Sequence, residues 1–284
     1  MGRCFMMKKI LISLSFFLLG PIAAKPYLII WDLGDTLVYV SLFRMVVDIG
    51  FADCAWYHAF HTKEKNQLQN LLFDVLEEFG GKQTCPDDQK SYHTAHRPLP
   101  QVMCDWLAGR ILEPKILVKA LGRKIKELYG SGYFRNNLEY RIVKSAVGAM
   151  FNPEVLVKNT KLLKEALEIV QEIAHEGIHQ QTILSNWDGV SYTNFKNSPT
   201  GQELSRYFNM DDVIISGSLN TIKPQQTIFD QCLNRYGFAP EDCIFIDDQK
   251  ENVEAARSLG FKAIQIKHYD FKQLRKELTA LGVL

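Results

Sequence analysis

None of the six cysteines falls in a Cys-x-x-Cys spacing, which removes zinc-ribbon and thioredoxin-like readings. Clustered cations are also missing. The formal net charge is +1 over 284 residues, with no basic stripe in the linear sequence, so no nucleic-acid partner is expected. There are no internal repeats and no low-complexity tracts. No apolar run approaches the roughly 20 residues that a membrane span needs. What is present is ordinary globular composition, 46% hydrophobic and 23% charged, on a chain long enough for a core domain with a smaller companion.

The N-terminus has its own pattern. Lys8 and Lys9 precede the apolar run from Ile10 to Leu19, Gly20-Pro21 breaks it, and small residues follow to Ala24. This is the layout of a secretory signal peptide over residues 1–24, with export to a periplasmic or extracellular space. Cleavage there removes Arg3, Lys8 and Lys9 and turns the formal charge from +1 to −2. No stable membrane anchor is then expected. The mature chain keeps Cys54, Cys85, Cys104, Cys232 and Cys243. An odd number cannot all pair. One bond among the first three is open in an oxidising compartment, while Cys232 and Cys243 fall at core positions.

Beyond the leader, Tyr27 to Trp31 is a short unbroken apolar run, the signature of a strand buried on both faces. It ends at Asp32. Between Val40 and Asn152 the spacing predicts helices only. Leu68, Leu71, Leu72, Val75, Leu76 and Phe79 repeat at three and four residues, and Gly80-Gly81 closes that helix. Residues 83–100 read as a loop, and 101–108, 114–128 and 138–150 as further helices. From Leu162 onward strands and helices alternate. Helices are expected from Leu162 to Gly177, over 202–208, from Pro224 as first helical residue, and over 251–259 and 271–281. Strands are expected at 181–184, 213–215, 243–246 and 263–266. Alternation of this kind predicts an α/β, doubly wound, parallel-sheet core of Rossmann-like type. That core takes residues 25–40 plus 153–284. Residues 41–152 form an inserted all-α domain.

In a parallel sheet all strand carboxyl ends share one edge. Asp32, Ser185 and the pair Asp247-Asp248 lie at such ends, and Lys223 lies in a loop that can join them. Carboxylates, a hydroxyl and an ammonium together suit a hard cation and a phosphate.

This set resembles the haloacid dehalogenase superfamily of hydrolases. The family's first motif, a strand followed by Asp-x-Asp-x-Thr, reads here Asp32-Leu33-Gly34-Asp35-Thr36. Its second, a strand ending in Ser or Thr, reads Ile183-Leu184-Ser185-Asn186. Its third is Lys223-Pro224. Its fourth is Ile244-Phe245-Ile246-Asp247-Asp248. All four stand in order. The helical insert is similar to the cap of the helical-cap subfamily. The resemblance implies a Mg2+-dependent phosphatase acting on a small phosphorylated molecule. Asp32 would be the nucleophile that forms an aspartyl-phosphate, and with the Gly34 carbonyl, Asp248 and Asp247 it would bind the metal. Ser185 and the Asn186 backbone would hold phosphate oxygens. Lys223 would neutralise charge on the phosphate and on Asp32. Asn252 stands where some members carry another acid.

One position departs from the family. Phosphatases of this kind usually carry an aspartate two residues after the nucleophile, as general acid and base. Here that position is Gly34. Asp35 and the histidines His58, His61, His93 and His96 are the alternative acids. Two other readings stay open. A metal-independent 2-haloacid dehalogenase also lacks that aspartate, but its fourth motif carries no acid pair. A non-catalytic phosphate- or metal-binding protein would keep the fold without turnover.

Overall fold

The computed structural model describes residues 25–41, 50, 53, 67–92 and 97–284. The leader, Cys54 and all four histidines named as alternative acids lie outside the described residues.

Strand β1 (Leu28–Trp31) is buried along its whole length. It is hemmed in on both sides, which explains why no polar residue interrupts it. The parallel sheet runs β5-β4-β1-β6-β7, where β4 is Gln180–Ser185, β5 Ile214–Ile215, β6 Cys243–Asp247 and β7 Lys262–Gln265. Trp31 pairs with Ile183 on one side and Ile246 on the other. Strand order reverses at β1, so its carboxyl end is the topological switch point at which such sheets bind ligands.

Alternate residues of β1 face opposite layers. Ile29 and Trp31 pack with Ala166, Ile169, Val170 and Ile173 of helix Lys164–Glu176 and with Leu274 and Leu278 of helix Phe271–Ala280. Leu28 and Ile30 pack with Ile228, Phe229 and Cys232 of helix Gln226–Tyr236 and with Ala256 of helix Lys250–Ser258. Each such fully buried aliphatic side chain contributes about 1.5–3 kcal/mol. The core is therefore doubly wound, with helices on both faces.

A helical block lies between two short strands. β2 (Val38–Val40) pairs antiparallel with β3 (Thr160–Leu162), Val40 opposite Thr160. Between them stand helices α1 (Gln67–Gly80), α2 (Gln101–Leu107), α3 (Pro114–Gly130), α4 (Asn137–Met150) and α5 (Pro153–Asn159). The first four share a hydrophobic cluster around Phe73, Leu76, Trp106, Leu121, Ile125, Val143 and Phe151. The Gln83–Leu99 loop is tied by one buried amide. Gln83 donates to the carbonyls of Ser91 and Leu99 and accepts from the Ser91 N–H.

Several expectations need correction. β3 was not foreseen. Leu162 carries the apolar period of the following helix, yet it pairs with Val38, and the helix starts at Lys164. The helix expected at 202–208 lies earlier, at Pro199–Leu204, capped by Ser198, and a further helix that was not expected, Gly189–Lys196, precedes it, capped by Asp188. Pro224 is not the first helical residue. The Lys223–Pro224 peptide is cis, the Gln225 N–H closes a turn onto the Ile222 carbonyl at 2.9 Å, and the helix begins at Gln226. On α3, Lys115, Lys119, Arg123 and Lys126 are all exposed. They form a basic face that linear inspection misses, because residues three and four apart meet only on a helix. Cys85, Cys104, Cys232 and Cys243 are free thiols.

Candidate active site

Asp32 directly follows β1, and its N–H donates to the Ile246 carbonyl at 2.8 Å. The chain then turns sharply, with the Leu37 and Val38 N–H groups both bonded to the Leu33 carbonyl. That turn returns Gly34 and Asp35 to the sheet edge. Asp247 ends β6, and Asp248 is the next residue. Ligand oxygens of Asp32, Asp247 and Asp248 lie within 4.8 Å of one another.

Lys223 reaches this cluster from the loop after β5. Its Nζ lies 2.6 Å from Asp32 Oδ1 and 2.7 Å from Asp247 Oδ2, and donates to the Leu184 carbonyl at 3.0 Å. It also sits over the Phe245 ring, 5.4 Å from its centroid. Only 1% of Lys223 is exposed. A buried ammonium is tolerable here because two carboxylates and a carbonyl replace its water. Burial alone would lower its pKa, but Asp247 and Asp32 outweigh that and hold it above the ordinary lysine range.

The three acids are not equivalent. Asp247 is fully buried. Its oxygens accept from Lys223, from the Gln249 N–H at 2.8 Å and from Asn252 Nδ2. Burial pushes the Asp32 carboxyl up to about 6, against the pull of Lys223 and with Asp247 adding to the rise. Asp248 is half-buried, and no hydrogen bond reaches its carboxylate among the described residues. Burial, then Asp247, Asp32 and Asp35, push it up to about 9. Three acids facing one ammonium leave excess negative charge, and all donors on offer are hard oxygens. The cluster could hold a metal ion.

Ser185 ends β4 beside Asp32 and is buried. Asn186 turns its side chain toward the main chain of Lys223, with Oδ1 accepting the Lys223 N–H at 2.7 Å and Nδ2 donating to its carbonyl at 3.0 Å. The structure thus brings Asp32, Gly34, Ser185, Asn186, Lys223, Asp247 and Asp248 to one edge. Asp35 lies at the rim with φ of 52°, and its carboxylate accepts from the Tyr269 hydroxyl at 2.6 Å. Sequence reasoning missed Tyr269. It carries no motif and follows β7 rather than a motif strand. The bonds of Asn252 to Asp247 were also not foreseen, although its place one helical turn past the acid pair marked it.

The family model for haloacid dehalogenase-like hydrolases matches residues 28–260. The chain belongs to this family. Over 123 residues the hydrolase is 31% identical to mouse acyl-CoA dehydrogenase family member 10, covering 43% of this chain and 11% of that protein. It therefore spans about a tenth of that curated relative. Among solved structures, a haloacid dehalogenase family enzyme from Bacteroides thetaiotaomicron superposes with a TM-score of 0.52 at 15% identity, over 88% of this chain and 98% of that one. The same enzyme in complex with magnesium and inorganic phosphate gives a TM-score of 0.50 at 16% identity, with the same coverage. These likenesses concern the fold.

Proposed function

We propose that this hydrolase is a magnesium-dependent phosphatase that acts on a small phosphorylated molecule through an aspartyl-phosphate on Asp32. The observation that carries the reading is the charge balance of the site: among the described residues, Asp32, Asp247 and Asp248 converge within 4.8 Å around one ammonium, that of Lys223. A metal-independent dehalogenase has no use for that excess of carboxylate. A cation and a phosphate at the same edge do.

Asp32 attacks phosphorus with one carboxylate oxygen, and the ester oxygen departs with the electron pair of the broken P–O bond. Lys223 faces both Asp32 and the incoming anion and offsets their repulsion. Ser185 and the Asn186 N–H stand at the strand end that receives phosphate oxygens. Water then attacks phosphorus, the P–O bond to Asp32 breaks with its electron pair returning to the carboxylate, and inorganic phosphate leaves with one proton of the water while the other passes through solvent to the departed oxygen. Asp32, Asp248 and the Gly34 carbonyl would hold the magnesium, with Asp247 behind them, and its charge would hold Asp32 ionised. No side chain at position 34 protonates the leaving group. Substrates with weakly basic leaving groups, such as aryl or anomeric sugar phosphates, suit such a site.

Residues 41–152 would serve as the cap over this edge. Ser216 Oγ donates to the Leu107 carbonyl at 2.7 Å, and Arg110 bonds the Asn220 side chain at 2.7 Å. Both tie the helical block to the loop that bears Lys223. Residues 1–24 would be removed on export. The mass of protein recovered from a secreting host tests this, and a chain that retains Ile10 to Leu19 in the cytoplasm overturns it. The activity itself is tested with a panel of phosphomonoesters, with and without magnesium. Turnover that requires the metal supports the reading. Release of halide from 2-haloacids without metal overturns it.

A further inference from the structure

We infer that Asn186 is a positioning residue for Lys223: its side-chain amide fixes the lysine main chain so that one ammonium reaches Asp32 and Asp247 together. The kinetic part of this inference rests on the proposed phosphatase reading, and the structural part does not.

Lys223 belongs to no helix and no strand. It lies in the connection between β5 and the helix that starts at Gln226, so no ladder holds its peptide groups. Pro224 follows and has no N–H to give. Yet the residue is buried, and buried peptide groups need partners. Asn186 supplies both. Its Oδ1 accepts the Lys223 N–H at 2.7 Å, and its Nδ2 donates to the Lys223 carbonyl at 3.0 Å. A side-chain amide is suited to this, because it offers one acceptor and one donor side by side. An aspartate there keeps the acceptor and loses the donor. Alanine loses both.

The pairing matters because of what lies at the other end of the lysine. Nζ makes contacts of 2.6 Å and 2.7 Å to two acids carried by different strands. Both can be kept only if the main chain stays where it is. The preceding residue, Ile222, is buried in the hydrophobic cluster of the helical block, and Asn186 Nδ2 lies 3.5 Å from Ser91 Oγ of that block. The loop is thus held from the block on one side and from the end of β4 on the other. On the β4 side Asn186 holds the main chain of Lys223, and the Leu184 carbonyl holds its ammonium. A misplacement of about 1 Å in a reacting group can cost about 10²-fold in rate.

The test uses full-length protein with Asn186→Ala and Asn186→Asp. Hydrogen exchange at the Lys223 amide, read by NMR, should speed up at least tenfold in Asn186→Ala and less in Asn186→Asp, which keeps the acceptor. With para-nitrophenyl phosphate and magnesium, kcat should fall about 10²-fold in Asn186→Ala while KM stays within about twofold. Asn186→Asp should recover part of the loss. Unchanged exchange at Lys223 in a folded variant overturns the inference. So does a raised KM, with a weakened inhibition constant for inorganic phosphate at constant kcat, because the side chain would then be a phosphate ligand. If the wild-type protein turns over no phosphoester, the functional reading fails, and the exchange measurement alone decides the role of Asn186. If Asn186→Ala does not fold, Asn186→Asp carries both measurements.

Discussion

Asn252 donates to both carboxylate oxygens of Asp247, at 3.1 Å each. Asp247 already accepts from Lys223 and from the Gln249 N–H, so its bonding capacity is largely used within the protein. Asp248 has no such bonds among the described residues. The adjacent acids should therefore separate in experiment. Asp247→Ala leaves the buried Lys223 short of a partner and should cost about 3–5 kcal/mol in urea unfolding. Asp248→Ala should leave stability nearly unchanged and shift the magnesium titration to higher concentration. Equal effects of the two substitutions on both measurements would contradict this division.

Asp32→Asn keeps the shape and the contact to Lys223 but removes the nucleophilic charge. Turnover of para-nitrophenyl phosphate should fall by about 10⁴-fold or more, the scale on which a lost nucleophile shows. Circular dichroism should report an unchanged fold. Parent-level rates in this variant would exclude Asp32 as nucleophile.

Gly34 has open space where a side chain would stand. A Cβ built there meets nothing within 4 Å, and the backbone is outside the left-handed region. Gly34→Asp should thus fold normally and present an acid at the position the family's phosphatases use. General acid assistance is worth about 10²–10⁴-fold. Wild-type rates should fall steeply as the leaving group becomes more basic, and the variant should flatten that slope. A flat slope in the wild type would mean that another group donates the proton.

Gly109 and Gly217 meet where the helical block touches the core. A Cβ on Gly109 would lie 2.0 Å from the Gly217 carbonyl oxygen, and its φ is +74°. Gly132 has φ of +81° and nothing within 4 Å, so it isolates the backbone cost alone. Gly132→Ala should destabilise by about 1–3 kcal/mol. Gly109→Ala should cost clearly more, because it also forces the two backbones apart. Denaturant midpoints of the two variants make the comparison, and equal shifts would show that the contact carries no weight.

His179 gives the stability a pH dependence with a definite sign. Its Nδ1 accepts the Tyr27 N–H at 3.1 Å, and burial lowers its pKa from the ordinary 6.5. The folded state therefore favours the neutral ring, and the unfolded chain binds the proton first. This contribution is complete above pH 6.5 and is lost as pH falls from there through the folded-state value. The melting temperature should drop more steeply between about pH 7 and pH 5 in the wild type than in His179→Gln. Parallel curves would remove His179 as the cause.

Much of the candidate site was legible because three of its four motifs ride on buried strands, and such strands announce themselves as apolar runs that stop at a polar residue. Asp32, Ser185 and Asp247 were found that way. What escaped depends on distance in sequence. Leu162 has a helical period around it, but its partner Val38 lies far upstream, so no local window shows that it is in a strand. The turn before Gln226 hid behind the usual meaning of proline at a helix start. The bracket of Asn186 on Lys223 and the clasp of Tyr269 on Asp35 join residues 37 and 234 positions apart. Neither partner advertises the other.

The pairing of Val40 with Thr160 has a topological consequence. Residues 41–159 leave and rejoin the core at a single rung of an antiparallel ribbon, so to the sheet they are the loop of an oversized hairpin. The entropy of closing such a loop grows only slowly with its length, by about 0.6 kcal/mol per doubling. A core of this design can therefore exchange one helical block for another, or for a two-residue turn, without altering the strand ends at which Asp32 and Asp247 stand. The part of the site that such an exchange would have to rebuild is the Lys223 loop, whose Ile222 is packed into the block.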